Sequence, residues 1–96
     1  MFANKHLQRL AQDEGYRWKL GPEIADAYRR RIEMLAHAEE VSDIPNLRSI
    51  NLEKLKGDRR GQWSLRLRGP WRLIMRFMID AQGRVAIIID VVDYHR

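Results

Sequence analysis

Residues 63–79, WSLRLRGPWRLIMRFMI, decide the fold, because apolar and mostly polar positions alternate in them. Alternation with a period of two predicts β-strands that turn one face to a core and the other to water or a partner. Gly69 and Pro70 interrupt the pattern and predict a turn between two antiparallel strands. The odd positions form the predicted core face: Trp63, Leu65, Leu67, Trp71, Leu73, Met75, Phe77 and Ile79.

The turn at Gly69 must be longer than two residues. Residues that face each other across an antiparallel pair lie on the same side of the sheet. Two odd-numbered core sets therefore need paired residue numbers with an even sum, which a two-residue Gly69–Pro70 turn does not give. We predict a three-residue or bulged loop near Gly69.

The rest of the chain adds one more strand and two helices. The apolar run VAIIIDVV, within a predicted strand from Arg84 to about Val92, is typical of a strand that is central or covered on both faces. The first half predicts a helix from Asn4 to about Asp13 and another from Pro22 to near Glu40. Residues 41–52 are expected to form a connection with a short extended piece. We therefore predict one α+β domain over residues 1–96, with two N-terminal helices packed on a three- to four-stranded antiparallel sheet.

Helical spacing also assigns the faces of the second helix. Positions three and four apart form its predicted buried stripe: Ile24, Tyr28, Ile32, Leu35 and Ala36. The three consecutive arginines of the same helix are expected on its solvent side: Arg29, Arg30 and Arg31.

Positive charge is concentrated in one segment. The chain carries a net charge of +5, yet residues 54–79 hold eight basic side chains against one acidic side chain, which leaves the remainder at −2. Such asymmetry suggests a polyanionic partner, since clustered Lys and Arg gain affinity by releasing counterions from nucleic acid. A well-solvated basic surface is the alternative. By strand parity, four arginines point away from the core: Arg66, Arg68, Arg72 and Arg76.

Several functional classes lack their motifs. There is no cysteine, and the three histidines, His6, His37 and His95, are not at ligand spacing, so we expect no metal site. No glycine-rich nucleotide loop or serine nucleophile elbow is present, and we expect no cofactor. The sequence shows neither a signal peptide nor about 18 consecutive apolar residues, which predicts a cytoplasmic protein without a membrane span.

The segment Asp93-Tyr94-His95 offers hydrogen-bonding and titratable groups directly after the apolar strand. His95 and Asp93 are candidates for proton transfer, and Tyr94 for orienting a substrate or stacking on a base. The alternative is a polar terminus that contains a histidine by chance, because terminal residues are often poorly ordered.

Two stretches together carry a resemblance to a known family. LEKLKGDRRGQWSLRLRGPWRLIMRF (residues 52–77) followed by VVDYH (residues 91–95) resembles the HigB toxins of the RelE/ParE superfamily, which show K-G-D-R, W-S, W-R-I/L and D-Y-H in this order. The similarity extends over nearly the whole chain, although its specific motifs all follow Leu52. Many members carry a histidine where this chain has Glu53.

The resemblance implies a toxin of a type II toxin–antitoxin system that cuts mRNA in the ribosomal A site without a metal. The 2′-hydroxyl attacks the neighbouring phosphate and leaves a 2′,3′-cyclic phosphate and a 5′-hydroxyl. The motif match implies that Lys56 and Arg72 stabilise the phosphate. It also implies that Asp93, Tyr94 and His95 share proton transfer and base positioning. The remaining arginines would hold RNA: Arg59, Arg60, Arg66, Arg68 and Arg76.

The implied partners are the ribosome, mRNA and a helix-turn-helix antitoxin resembling HigA, which would mediate any contact with operator DNA. Two alternatives stay open. One is a toxin of the same fold that acts on DNA gyrase, as ParE does, and the other is a non-catalytic RNA- or DNA-binding module. Strand parity also sets Arg72 on the even face and Asp93 and His95 on the odd face, so that a bulge must bring them together or only Tyr94 shares the face of Arg72.

Overall fold

The computed structural model describes residues 1–37, 52–80 and 83–93. Its elements are α1 (Lys5–Gln12), α2 (Pro22–His37), β1 (Glu53–Lys54), β2 (Trp63–Arg66), β3 (Trp71–Asp80) and β4 (Gly83–Asp93). A short 3-10 helix, Gly57–Arg59, lies between β1 and β2. The strands form one antiparallel sheet in the order β1-β2-β3-β4, which confirms the predicted α+β fold. The predicted end of the second helix near Glu40 and most of the connection over residues 41–52 lie outside the described residues.

Both helices begin where the sequence predicts. Asn4 caps α1, because its side-chain oxygen accepts a hydrogen bond of 3.0 Å from the Leu7 amide. Pro22 opens α2, where its missing amide hydrogen costs nothing. In the stretches that the structure describes, neither helix is long and apolar enough to cross a membrane.

The buried side of α2 differs in part from the predicted stripe. Tyr28 and Leu35 are buried as expected, but Ala36 is exposed. Ala25 and Ala27 are buried in its place. The remaining predicted members are half-buried: Ile24 and Ile32.

Of the three consecutive arginines of α2, only Arg30 is fully exposed as predicted. Arg29 donates hydrogen bonds to the carbonyl oxygens of Leu10 (2.9 Å), Asp13 (3.1 Å) and Tyr16 (2.6 Å). The last carbonyls of a helix have no intrahelical donor, so Arg29 closes the end of α1. Arg31 Nε donates to the Arg66 carbonyl oxygen over 3.3 Å and thereby links α2 to β2.

Tyr28 joins the two helices in the core, where its hydroxyl donates a hydrogen bond of 2.8 Å to the Leu7 carbonyl oxygen. Tyr28→Phe should lower the free energy of unfolding by about 1–2 kcal/mol, because the buried hydrogen bond that joins the two helices is lost. Burial also raises the pKa of the Tyr28 phenol above its usual 10.0. The folded state therefore keeps a proton that the unfolded state releases, and stability is lost as the pH rises above about 10.

Chemical denaturation at pH 8 and pH 11 tests both effects. The wild type should lose more stability between these two pH values than Tyr28→Phe does. An equal loss in both proteins would show that Tyr28 does not contribute to the alkaline transition.

The register of β2 and β3 follows the parity argument. Leu65 is paired with Leu73 and Arg66 with Arg72, so the paired numbers have an even sum. The Leu67 amide donates to the Trp71 carbonyl oxygen over 3.0 Å, which leaves a loop of three residues, Arg68-Gly69-Pro70. Gly69 has a φ of 57°, a left-handed conformation that favours glycine. The predicted three-residue loop is confirmed.

A β-bulge at Ile89 resets the register of β4. Ile74 is paired with Asp90 and Met75 with Ile88, so that Ile89 has no partner on β3. The extra residue puts Ile88 and Val91 on the same buried face, although their numbers differ in parity. This explains why the sequence of β4 shows no simple alternation.

β4 lies at one edge of the sheet, so the first of the two expectations, a central strand, is wrong. Its outer edge is partly covered by the N-terminal residues, since Phe2 forms a parallel bridge with Ile88. The second expectation, a strand covered on both faces, agrees with the burial of the β4 side chains. Residues 85–92 are all buried or half-buried.

Candidate nucleic-acid interface

The even-numbered residues of β2 and β3 form one face of the sheet, which we call the arginine face: Ser64, Arg66, Arg72, Ile74, Arg76 and Met78. Arg66 and Arg72 are direct register partners on this face. Side chains in such a pair start about 4.5–5.5 Å apart at Cβ, and like charges there destabilise the folded chain. Among the described side chains, neither arginine forms an ion pair with a carboxylate. The arrangement therefore concentrates positive charge that an external anion can neutralise.

The centre of the arginine face is buried. Ile74 is 0% exposed and Ser64 is 1% exposed, although strand alternation predicts that both point to solvent. Within the part of the chain that the structure describes, the Ser64 hydroxyl has no hydrogen-bond partner. At these two positions the face that alternation assigns to water or a partner is therefore covered within the molecule.

The connection from β1 to β2 reaches across this face. Arg59, at the end of the 3-10 helix, has its Nη2 atom 3.9 Å from Oδ2 of Asp90 on β4. Asp90 is the register partner of Ile74, so its side chain lies on the arginine face. Because β2 and β3 lie between the connection and β4, the Arg59 side chain must extend over that face. Within the connection, Gly57 and Gly61 have φ values of 68° and 86°, in the left-handed region that favours glycine.

The same connection presents two further basic residues. Lys56 directly precedes the 3-10 helix, and both Lys56 and Arg60 are exposed. The resemblance to the HigB toxins implies phosphate stabilisation for Lys56 and RNA binding for Arg60. The link between Arg59 and Asp90 brings the segment that carries both residues to the face that carries Arg72.

Arg72 is half-buried, and its guanidinium is held toward the β2–β3 loop. Its Nη1 atom donates to the carbonyl oxygens of Gly69 and Trp71, each over 3.3 Å. Both bonds use the same nitrogen. The Nε and Nη2 hydrogens, which form no hydrogen bond with the described residues, can therefore bind an anion from solvent.

Arg68 does not share the arginine face. It lies in the three-residue loop after β2, and its Nε atom is 3.4 Å from Oε2 of Glu23, at the start of α2. Both side chains are mostly exposed, so this ion pair contributes little stability. The expectation that four arginines lie on one face holds for Arg66, Arg72 and Arg76, while Arg68 lies beside the helices.

Asp93 lies on the opposite side of the sheet from Arg72. Its register partner is Trp71, whereas the partner of Arg72 is Val92. The bulge at Ile89 precedes this segment and does not bring Asp93 to the arginine face. Tyr94 and His95 lie outside the described residues.

Sequence reasoning missed Asp90 and Gln62. The Gln62 Oε1 atom accepts a hydrogen bond of 3.1 Å from Nη1 of Arg59, while Asp90 lies beside Nη2. Gln62 and Asp90 therefore contact the two terminal nitrogens of the same guanidinium group. The signal for Asp90 was a single charged residue inside an apolar strand. Asp90 shares the even face because the bulge at Ile89 restores, at the end of β4, the parity that β2 and β3 follow.

Two comparisons with known proteins bear on this interface. A model of the family described as RelE-like toxin of type II toxin-antitoxin system HigB matches residues 1–95. The chain is also 30% identical over 94 residues to the Endoribonuclease HigB of Proteus vulgaris, with 98% of this chain and 96% of that protein covered. Both matches extend over the helices as well as the sheet. The chain therefore belongs to the family of HigB-like toxins of type II toxin–antitoxin systems.

Proposed function

We propose that this toxin is a ribosome-dependent endoribonuclease that cuts mRNA during translation. The observation that carries the proposal is the direct pairing of Arg66 with Arg72 on one face of the sheet. The basic connection between β1 and β2 is linked to the same face by the ion pair between Arg59 and Asp90. An arrangement of this kind suits a phosphodiester backbone, because several guanidinium groups can contact successive phosphates. The activity named for the Proteus vulgaris relative supports the same assignment.

The proposed reaction needs no metal. The 2′-oxygen attacks the adjacent phosphorus, the bond to the 5′-oxygen breaks, and the products carry a 2′,3′-cyclic phosphate and a 5′-hydroxyl. Negative charge that develops on the phosphorane would be stabilised by Arg72 and Lys56. A base must take the proton of the 2′-hydroxyl and an acid must protonate the leaving 5′-oxygen, roles for which we propose Tyr94 and His95. Asp93 is left out of this proton transfer, because its register position lies on the side of the sheet opposite Arg72.

The other basic residues would hold RNA rather than react with it. We assign this role to five arginines: Arg59, Arg60, Arg66, Arg68 and Arg76. Since Arg68 lies beside the helices, it would contact RNA at a different side of the molecule from Arg66 and Arg76. A protein bound inside a ribosome has phosphates on several sides, which suits this distribution.

Membership of a toxin–antitoxin family implies an antitoxin as partner. We propose that it resembles HigA and has a helix-turn-helix domain, so that contact with operator DNA would occur through the antitoxin. Acidic side chains of such a partner would complement the arginine face and compete with RNA for it.

Mapping of 5′ ends on a reporter mRNA tests the proposal. The toxin is induced with the message either translated or blocked at initiation, and the wild type is compared with Arg72→Ala and His95→Ala. We expect cuts in the translated message only, and loss of those cuts in both variants.

Two other outcomes lead to the alternatives. Growth arrest with intact messages would contradict the nuclease and direct attention to DNA gyrase. Binding to RNA with a steep salt dependence, without cuts and without sensitivity to His95→Ala, would identify a non-catalytic binding module.

A further inference from the structure

We propose that Asp90 is a positioning residue of this site, which holds the Lys56-bearing connection over the arginine face by binding Arg59. The inference rests on the proposed function for its effect on cleavage. Among the described residues, Asp90 forms no hydrogen bond or ion pair with Arg72 or Lys56, so its influence would be exerted through Arg59.

Asp90 is fixed in direction by its own strand. Its Oδ1 atom accepts a hydrogen bond of 2.8 Å from the Val91 amide, which leaves Oδ2 to face Arg59 at 3.9 Å. Both side chains in this ion pair are more than one-third exposed. Exposed ion pairs add little to the stability of a fold, so stabilisation of the folded chain does not explain the position of this carboxylate.

The β-bulge is what puts Asp90 on this face. Ile74 is paired with Asp90 because Ile89 is left over in the ladder. In a regular ladder continued from Met75 and Ile88, Ile74 would face residue 89 and Asp90 would turn to the core side. Bulges are frequent beside functional sites, where they redirect a side chain. Here the redirected side chain is the carboxylate that reaches Arg59.

Fixing Arg59 also fixes the segment around it. The two ends of the connection are joined by the Leu55 amide, which donates to the Gln62 carbonyl oxygen over 2.9 Å. Further along, the Arg60 amide donates to Gly57 and the Gln62 amide to Arg59. These bonds hold the connection together, but they do not set its angle to the sheet. Among the described residues, the ion pair with Asp90 is the contact that joins it to β4.

The first test is kinetic and uses Asp90→Asn, which keeps an acceptor for the Val91 amide but removes the charge. We expect kcat for ribosome-bound mRNA to fall about 10- to 100-fold with a smaller change in KM, since small errors in the position of a reacting group cost rate. Asp90→Glu should recover part of the loss. Glu33→Gln, an exposed change of equal charge on α2, should leave the rate unchanged.

A double-mutant cycle tests whether Asp90 acts through Arg59. Arg59→Gln combined with Asp90→Asn should be no slower than the slower single variant, because both changes release the same contact. Losses that multiply, or an unchanged kcat in Asp90→Asn while the wild type cleaves, would overturn the inference.

Amide hydrogen exchange separates this inference from the proposed function, because it does not require cleavage. Exchange at residues 57–62 should accelerate several-fold in Asp90→Asn and stay unchanged in Glu33→Gln. Unchanged exchange in Asp90→Asn would overturn the positioning role. If exchange is faster in Asp90→Asn but the wild-type protein does not cut RNA, the proposed nuclease activity is contradicted. The link between Asp90 and Arg59 would still be supported.

Discussion

Arg72→Ala should lower the rate of mRNA cleavage by about 100- to 1000-fold, the usual cost of removing a group that stabilises developing charge. Arg72 is half-buried, and two backbone carbonyls hold its guanidinium in one orientation. Arg72→Lys should recover only a small part of the rate, because an ammonium cannot bind two phosphate oxygens in one plane. Single-turnover cleavage of a ribosome-bound message measures both effects.

Arg30→Ala is the matched control for this prediction. It removes the same charge from an exposed position on α2. Its cleavage rate should stay within about twofold of wild type, as expected of a surface change remote from the site. Equal losses in Arg30→Ala and Arg72→Ala would mean that overall charge, and not the arginine face, governs the reaction.

Ile74→Ala should lower the free energy of unfolding by about 2–5 kcal/mol. Ile74 is fully buried although it lies on the face that also carries Arg72, so its removal would leave a cavity beneath the covering chain. Urea denaturation followed by circular dichroism measures this change. The same variant should also lower the rate of mRNA cleavage. Ile74 is the register partner of Asp90, and its loss would leave a gap beside the carboxylate that contacts Arg59.

Met78→Ala is the matched control, because Met78 lies on the same strand and the same face but is 48% exposed. Its effect should stay within about 0.5 kcal/mol. A small effect of Ile74→Ala, equal to that of Met78→Ala, would contradict a covered centre of the arginine face.

Much of the fold could be predicted because the pattern of β2 and β3 is regular. Leu65, Leu73 and the loop at Gly69 follow from alternation and parity alone, and proline marks the start of α2. The position of β4 could not be predicted in this way. A bulge at Ile89 breaks the relation between residue number and face, and an apolar sequence does not distinguish a central strand from a covered edge strand.

Less of the candidate site could be predicted, because its parts meet through tertiary contacts. Charge pattern and strand parity placed Arg66 and Arg72 on one face, and the resemblance to the HigB toxins pointed to Arg72 and the basic connection. The burial of Ile74 and the contact between Arg59 and Asp90 depend on the path of the connection over the sheet, for which the sequence carries no periodic signal. Arg29 was assigned to solvent for a similar reason, since its partners lie on α1 and in the following turn.

The contact between Arg59 and Asp90 also bears on how this toxin is made. A chain leaves the ribosome with its N-terminal part first, so both helices and the first three strands emerge before β4. Until β4 has paired with β3, the basic connection has no carboxylate to dock against. Nascent chains that stop before β4 therefore carry the arginines without the assembled site. A molecule in which β4 has not yet paired with β3 would therefore present its basic connection without the carboxylate that we propose to position it.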